Sequence, residues 1–285
     1  MNVTAGGVGR YDSLQTKVEK HFASGLYFLG GYTWAHCSDD AFGPIGQSAA
    51  GGYRNPNLLG IRYDYGSCTQ DTRNRVTFNG QYDLPFGRGK AFVNKSNLAD
   101  ELIGGWKTSL IFQAQSGNPV FLTSSNQGSS YPYKISDPFA TGGTANTATQ
   151  PEFQCATKTR TLAQWFNPCA YVNPPQVVSS GASAANNTID AAVAGLTPSG
   201  PRGRQGVVGP GFERVDLSLF KTFPIHFHES SFQLRADAFN VLNTPSFGNP
   251  GTSLTGSSGQ AITSTRFSSI IPDARSIQVA GRFMF

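Results

Sequence analysis

Charged residues are scarce in this sequence. Asp, Glu, Lys and Arg make up 14% of its 285 residues, whereas about a quarter is usual for soluble globular proteins. This scarcity excludes a coiled coil, and it excludes a disordered chain that is kept open by charge repulsion. Glycine and proline, by contrast, are frequent, with 33 and 17 residues, and aromatic residues reach 12%. Many turn-forming residues together with many aromatic rings favour an all-β fold.

The sequence also lacks a long apolar run. The segment between Lys107 and Lys134 carries no charge but contains several Gln, Asn and Ser residues, whereas a membrane-spanning helix needs about 20 mostly apolar residues. The start of the chain (MNVTAGGVGRYDSLQ) has neither a basic region nor an apolar core, so no secretory signal is predicted. The chain is therefore expected either to stay in the cytoplasm or to be the downstream part of a longer protein.

Basic clusters and catalytic motifs are absent as well. The net charge is +5, but the Lys and Arg residues are scattered, so no nucleic-acid partner is expected. The sequence has no G-x-S-x-G nucleophile elbow. His226 and His228 form an H-x-H pattern without a nearby third ligand, and Asp39 and Asp40 lack the spacing of a calcium loop. We therefore predict no catalytic residue, no cofactor, no metal site and no enzyme activity.

The four cysteines fall into two local pairs. Cys37 and Cys68 flank one loop-like segment, and Cys155 and Cys169 flank another. Neither pair has the C-x-x-C spacing of a metal clip. Two local pairs within Gly/Ser/Asn-rich segments indicate two disulfides, which need an oxidising compartment. Four unrelated thiols are the alternative.

Polar and apolar residues alternate with a period of two along the chain, which is typical of β-strands. One segment (LYFLGGYTWA) is apolar on both faces, but turn signals flank it and it also reads as a strand. Each predicted strand is about ten residues long, the length that crosses a bilayer at a tilt, whereas strands of soluble proteins average about five to six residues. The seven predicted strands span 12–22, 26–35, 75–84, 106–115, 212–221, 232–239 and 276–285.

The connections between these strands alternate in length. The segments 37–74, 116–211 and 240–275 are long and rich in Gly, Ser, Asn and Pro, whereas the connections between them are shorter. Outer-membrane barrels have short periplasmic turns and long extracellular loops. The pattern predicts an antiparallel up-and-down transmembrane β-barrel sheet with both cysteine pairs outside. The aromatic residues near its two interfaces are expected to be Trp34, Trp106 and Phe285.

Six segments resemble the C-terminal barrel of TonB-dependent receptors, in particular the Oar-like receptors that carry a carboxypeptidase-regulatory-like domain. They are 11–22 (YDSLQTKVEKHF), 25–36 (GLYFLGGYTWAH), 82–90 (YDLPFGRGK), 105–120 (GWKTSLIFQAQSGNPV), 215–221 (VDLSLFK) and 235–250 (RADAFNVLNTPSFGNP). The similarity runs in order along nearly the whole chain and is weakest at 131–208. Phe285 likewise resembles the C-terminal aromatic residue that serves outer-membrane proteins as an assembly signal.

The resemblance implies a protein that imports a ligand too large for porins across the outer membrane. Its partners would be the outer-membrane lipid, the barrel-assembly machinery, a plug domain and the TonB system. Such receptors also have a signal peptide, a TonB box, a plug and about 22 strands, whereas seven strands are predicted here. Residues 1–285 are therefore expected to be the C-terminal part of a receptor barrel, which forms an open curved sheet when isolated and does not transport alone.

Four charged residues lie in the middle of two predicted strands. Arg214, Asp216, Arg235 and Asp237 lie on the polar faces of two adjacent strands and are expected to pair across them. These residues are candidates for contacts with a plug in the lumen, and an ion-pair ladder within the wall is the alternative. The sequence is also compatible with a surface-display or adhesion protein that uses its long outer loops, and with a secreted soluble β-sandwich that binds carbohydrate.

Overall fold

A long-stranded antiparallel sheet forms most of the chain in the computed structural model. The structure describes residues 8–22, 25–39, 65–92, 98–122, 132–143, 154–172, 177–179, 187–189, 206–225, 230–256, 259–266 and 273–285. Within these residues, one short helix, α1 (Leu98–Ile103), and one 3-10 turn (Pro168–Ala170) accompany the strands. No helix in the described part of the chain has the length and apolar character needed to span a membrane.

The sheet has an up-and-down topology. The described strands are β1 (Gly9–His21), β2 (Leu26–Asp39), β3 (Gly66–Ser67), β4 (Asn74–Asp83), β5 (Trp106–Gln115), β6 (Pro119–Val120), β7 (Tyr133–Lys134), β8 (Tyr171–Val172), β9 (Val177–Ser179), β10 (Asn187–Ile189), β11 (Val207–Val208), β12 (Phe212–Pro224), β13 (Ser231–Phe239) and β14 (Ser276–Met284). The seven long strands pair antiparallel in the order β1-β2-β4-β5-β12-β13-β14, and the two-residue β3 adds an eighth strand beside β2. The predicted fold class and all seven predicted strands are confirmed.

The register of the sheet brings the apolar residues of all seven long strands to one side. Residues that lie directly opposite each other in adjacent strands share a face, and Phe78 lies opposite Phe112, which in turn lies opposite Val215. We call this side the apolar face and the other side the polar face. The apolar face contains Leu14, Val18, Tyr32, Trp34, Val76, Phe78, Leu110, Phe112, Leu217, Leu219, Phe232, Leu234, Ile277, Val279 and Phe283.

The apolar face is exposed along much of its area. Ile277, Val279 and Leu14 are 72%, 69% and 61% exposed, respectively. A contiguous exposed apolar surface of this kind is unfavourable in water and marks contact with a partner or a membrane. The face is therefore suited to contact with lipid acyl chains, as the alternation of the sequence predicts.

The sheet is open. Strand pairing begins at β1 and ends at β14, and no ladder among the described residues joins these two edges. The expectation of an open sheet is therefore confirmed. The two edge strands leave a row of backbone groups without strand partners, which is a costly arrangement in hydrocarbon.

The end of the sheet with the short connections, which we call the turn end, is closed by local contacts. Gly25 has a positive φ of 82°, and a Cβ at this position would lie 2.8 Å from the Asp83 Cβ, so the tight turn requires glycine. The connection between β4 and β5 contains α1, which sequence analysis did not predict. The Trp106 indole donates to the Leu102 carbonyl, and the buried Lys221 ammonium donates to the Glu101 carbonyl.

The opposite end, which we call the loop end, carries a compact layer. We call residues 119–122, 132–143, 154–172, 206–210, 244–256 and 259–266 the loop layer. Leu122, Phe166, Tyr171 and Leu254 are at most 2% exposed and pack in one hydrophobic cluster. The sequence predicts only long loops here, because these segments contain no periodic apolar pattern. In the described residues, the loop layer instead holds the most deeply buried side chains.

Asn167 is the centre of the polar contacts in the loop layer. Its side chain is buried, and its Nδ2 donates to the carbonyls of Ala140 and Gly142 at 3.0 and 2.8 Å. Its Oδ1 accepts from the amides of Ala156 and Cys169 at 3.0 and 3.1 Å. One side chain therefore joins the segments at 140–142 and 156 to its own turn at 167–169.

Tyr171 lies at the centre of the loop layer, where solvent has no access to its side chain. Its hydroxyl donates to the Gly206 carbonyl at 3.2 Å, and the residue is fully buried. Burial raises the pKa of the Tyr171 phenol, because the charged phenolate would lose its hydration.

A charge on the apolar face should destabilise the protein in a bilayer. We expect Val279→Arg to lower the free energy of unfolding by about 2–4 kcal/mol if the residue lies near the bilayer centre. Denaturant titration in lipid vesicles, followed by tryptophan fluorescence, measures the change. Gln278→Arg is the matched control, because Gln278 lies on the polar face opposite Asp237. Equal effects of the two variants would contradict the assignment of the faces.

Removing the Asn167 side chain should loosen the loop layer without affecting the long strands. We expect Asn167→Ala to cost about 3 kcal/mol locally, because buried carbonyl and amide groups lose their partners. Hydrogen exchange resolved by mass spectrometry should show faster exchange at 154–172 and unchanged exchange in β4, β5 and β12. Leu162→Ala is the control, since the Leu162 side chain is 51% exposed and should cost less than about 0.5 kcal/mol. Unchanged exchange in the Asn167 variant would contradict its central role.

Candidate functional site

The charges in the middle of the strands lie on the polar face. Successive side chains of a strand point to opposite faces of the sheet. The register aligns the odd-numbered residues of β1, β2, β4 and β5, so these residues share the polar face. Both signs of charge are present along this face, so it is a hydrated surface rather than a field of one sign. The charged residues of the polar face include Lys17, Glu19, Arg75, Asp83, Lys107, Arg214, Asp216, Arg235, Asp237 and Arg282.

The four predicted lumen charges pair along their strands. The Arg214 Nε lies 2.9 Å from the Asp216 Oδ1, and the Arg235 Nε lies 2.8 Å from the Asp237 Oδ1. These two contacts run along a strand, whereas the sequence predicts pairing across the strands. The register explains the difference, because Ser218 rather than a basic residue lies opposite Asp237.

Neighbouring polar groups fix these two ion pairs in place. The Ser218 hydroxyl donates to Asp237, and the Arg235 Nη2 approaches the Ser218 Oγ at 3.3 Å. The Asp216 Oδ1 accepts from the Asn240 amide at 2.7 Å. The polar face of β12 and β13 is therefore an ordered hydrogen-bonding surface.

A polar cleft of about 570 Å³ lies on the polar face of β1, β2 and β4. Its floor is at Gly31, where a Cβ would lie 2.9 Å from the Thr77 Oγ1. The Lys17 ammonium at its edge pairs with Glu19 at 2.8 Å. The polar residues that line the cleft include Gln15, Thr16, Lys17, Thr33, Arg75 and Thr77.

A second cleft, of about 600 Å³, lies at the loop end between the sheet and the loop layer. Val76 and Ala114 contribute its wall on the side of the apolar face. Trp165, Pro245 and Phe247 contribute from the loop layer. This cleft is mainly apolar and is suited to an aromatic or aliphatic group.

Both predicted disulfides are present. Cys37 in β2 is bonded to Cys68, with a Cα–Cα distance of 5.4 Å, and Cys155 is bonded to Cys169 in the loop layer, with a Cα–Cα distance of 5.1 Å. Asp39 lies close to the first pair. These sulfur atoms are not thiolates, which a metal site would require, so the grouping of Cys37, Asp39 and Cys68 is structural.

The first disulfide stands beside a polar network that sequence analysis did not predict. The His36 Nδ1 lies 3.1 Å from the Asp71 Oδ2, and the Ser38 Oγ lies 3.2 Å from the His36 Nε2. Asp71 is buried, whereas His36 and Ser38 are half-buried. The H-x-S spacing is visible in the sequence, but Asp71 reaches it only through the pairing of β2 with β3 and β4.

Other residues named by sequence analysis lie at the two ends of the sheet. Trp34 is near the loop end of β2, whereas Trp106 begins β5 at the turn end. Phe285 follows β14 at the turn end and is fully exposed. His226, His228 and Asp40 lie outside the described residues.

Comparison with known families agrees with this geometry. The chain matches the family described as outer membrane beta barrel domain over residues 2–278. No curated protein and no solved structure is significantly similar to the chain. The match and the exposed apolar face overturn the alternative of a secreted soluble β-sandwich. The chain belongs to the outer membrane β-barrel domain family, and its location is the outer membrane.

Proposed function

We propose that the chain forms the C-terminal part of the barrel wall of a TonB-dependent outer-membrane transporter, of the Oar-like type, that imports a ligand too large for porins. The observation that carries the proposal is an open sheet of seven long strands with one exposed apolar side and one charged side. The six segments that resemble receptors of this class support it. The remaining strands, the plug domain and the TonB system would belong to the rest of the receptor.

The open edges favour a larger barrel. Each unpaired backbone group in hydrocarbon costs several kcal/mol, so β1 and β14 need neighbours in a membrane. Closing the sheet on itself would make a barrel smaller than eight strands, whose interior side chains already fill it. The charges of the polar face would not fit in that space. We therefore place β1 and β14 against other strands of the same receptor.

The polar face provides a surface that a plug domain can contact. Its ion pairs Arg214–Asp216 and Arg235–Asp237 are ordered by Ser218 and Asn240. Such pairs satisfy one another when the lumen is hydrated and still present donors and acceptors to a neighbouring domain. The polar cleft at Gly31 adds a recess on the same side.

Site-specific photocrosslinking tests which side faces the receptor interior. Asn79 and Phe78 are adjacent in β4, on the polar and apolar faces respectively. We would replace each with p-benzoylphenylalanine in the protein as it is produced in its own cell envelope. The Asn79 variant should form a crosslink within one polypeptide, because the plug lies against it, and the Phe78 variant should crosslink to lipid.

The same experiment gives the result that would overturn the proposal. If the Asn79 variant forms no protein crosslink while the Phe78 variant still reaches lipid, no plug covers the polar face. The Phe78 variant is thus the matched control for insertion, because both positions lie in the middle of the same strand.

The chain alone should not conduct. We expect no single-channel conductance from the purified chain in planar bilayers, because seven strands do not close around an aqueous channel. A stable unitary conductance that disappears after Val279→Arg would contradict the proposal that this chain is only a part of the wall.

The loop layer favours a second candidate function, which is surface display or adhesion. Its buried core and the Cys155–Cys169 disulfide form an ordered platform at the loop end, which faces the outside in outer-membrane barrels. Adhesion of producing cells to a surface should then be lost in the Cys155→Ser/Cys169→Ser variant and should survive treatment with a protonophore. Transport of any ligand through the TonB system would instead require the proton gradient.

A further inference from the structure

Three side chains at the loop end of β2 form the arrangement of an activated nucleophile. The Ser38 Oγ, the His36 imidazole and the Asp71 carboxylate lie in one hydrogen-bonded line, with distances of 3.2 and 3.1 Å. We propose that this cluster, the Ser38 site, hydrolyses acyl esters of membrane lipids with Ser38 as the nucleophile. The proposal is independent of the transport function, because the site faces the outer surface of the wall.

The hydrogen-bond partners determine where the protons lie. An ionised carboxylate only accepts, so the His36 Nδ1 that contacts Asp71 must carry a proton. In the neutral imidazole the Nε2 is then an acceptor, and the Ser38 hydroxyl donates to it. This is the tautomer in which a histidine can take the proton of a serine that attacks a carbonyl group.

Asp71 is held firmly in the position that this tautomer needs. Its Oδ1 accepts from the Cys37 amide at 2.9 Å, and its Oδ2 is also approached by the Arg73 Nη2 at 3.4 Å. The Asp71 amide donates to the Cys68 carbonyl at 3.1 Å. Because Cys37 and Cys68 are disulfide-bonded, the strand that carries Ser38 and His36 is covalently tied to the turn that carries Asp71.

The bond between Ser38 and His36 contributes little to tying the fold together. Both residues lie in β2, two positions apart on the same face, so their contact joins no separate elements. The contact between His36 and Asp71 does join two elements, and it would serve that purpose without Ser38. A half-exposed serine aligned with the Nε2 is therefore better explained by reactivity than by stability.

The neighbouring strand β1 carries an ion pair next to the Ser38 site. Arg10 in β1 lies directly opposite Ser38, and Asp12 lies opposite His36. The Arg10 Nε and Nη2 contact Asp12 at 2.7 and 3.3 Å. A guanidinium has five N–H donors, so Arg10 retains donors beyond the two that contact Asp12.

The position of the Ser38 site indicates the class of substrate. His36 and Ser38 continue the apolar face of β2 beyond Trp34, at about 7 and 13 Å along the strand. Tryptophan marks the membrane–water interface in such proteins, and Trp34 and Tyr32 are each 39% exposed on this face. The Ser38 hydroxyl therefore lies outward of the tryptophan level, where a lipid ester reaches it when its acyl chain lies along the apolar face past Trp34.

The proposed reaction is a two-step acyl transfer to water. The Ser38 Oγ forms a bond to the ester carbonyl carbon while its proton passes to the His36 Nε2, and this proton then goes to the departing alcohol as the carbon–oxygen bond breaks. In the second step, water gives a proton to the Nε2 as its oxygen bonds to the acyl carbon, the bond between that carbon and the Ser38 Oγ breaks, and the Nε2 returns the proton to the Oγ. The products are the free acid, the alcohol and the regenerated serine.

Covalent labelling tests the nucleophile directly. The chain in outer-membrane vesicles should react with a fluorescent fluorophosphonate, and Ser38→Ala should abolish the labelling. His36→Gln should lower the labelling rate about 100-fold or more, because no base then takes the proton. Ser67→Ala is the matched control, since Ser67 lies opposite Ser38 in β3 without a histidine partner at that register position. Absence of labelling in the unaltered chain, or labelling that survives Ser38→Ala, would overturn the proposal.

Asp71 is a positioning residue, and its test must separate orientation from stability. Asp71→Asn should lower the maximal labelling rate about 100-fold while leaving the half-saturating probe concentration unchanged, and Asp71→Glu should restore part of the rate. Non-reducing peptide mapping must show that Cys37–Cys68 still forms in each variant. An unchanged labelling rate in Asp71→Asn, with the disulfide intact, would contradict the proposed role of Asp71.

The substrate class is tested with esters of different chain length. In mixed micelles, p-nitrophenyl palmitate should be hydrolysed with a higher kcat/KM than p-nitrophenyl butyrate, because the long acyl chain can lie along the apolar face. Both activities should disappear in Ser38→Ala. A preference for the short, soluble ester would overturn the assignment of a lipid substrate.

Discussion

Backbone hydrogen bonding between neighbouring strands is the constraint on which the rest of the structure depends. In hydrocarbon each unpaired amide or carbonyl is costly, and each long strand pairs with its neighbours in ladders of eight or more residue pairs. The pairing fixes the register, and the register decides which side chains meet. Phe78, Phe112 and Val215 line up on one side, and Arg75, Gln115 and Phe212 line up on the other, through the same ladders.

The two sides of the sheet then have opposite physical requirements. The apolar face exposes Ile277, Val279 and Leu14, which is favourable only when lipid covers them. The polar face carries ion pairs that are anchored by serine and asparagine, which is favourable when water or a polar domain covers them. A wall with these two sides and two open edges is consistent with one part of a large outer-membrane barrel, and this is the basis of the proposed transport role.

The loop end is organised by different interactions. Its stability comes from a dry cluster around Phe166 and Tyr171, from the side chain of Asn167 and from two disulfides. The first disulfide has a second consequence, because it holds the turn that carries Asp71 against the strand that carries His36 and Ser38. Structural order at the rim and the proposed reactivity of Ser38 therefore have the same origin.

The sequence by itself determined the long strands, their two faces and the alternating connections, because these follow from a local period of two and from where the turn-forming residues cluster. It also favoured two disulfides over four unrelated thiols. Only the tertiary structure decided the register, that is, which residue of one strand lies opposite which residue of its neighbour. It turned Arg214 and Arg235 toward acidic residues of their own strands, since the register puts Ser218 opposite Asp237. It also built the loop layer and brought Asp71 to His36. The contacts of the loop layer and of Asp71 with His36 join residues far apart in the chain, and no local pattern encodes them.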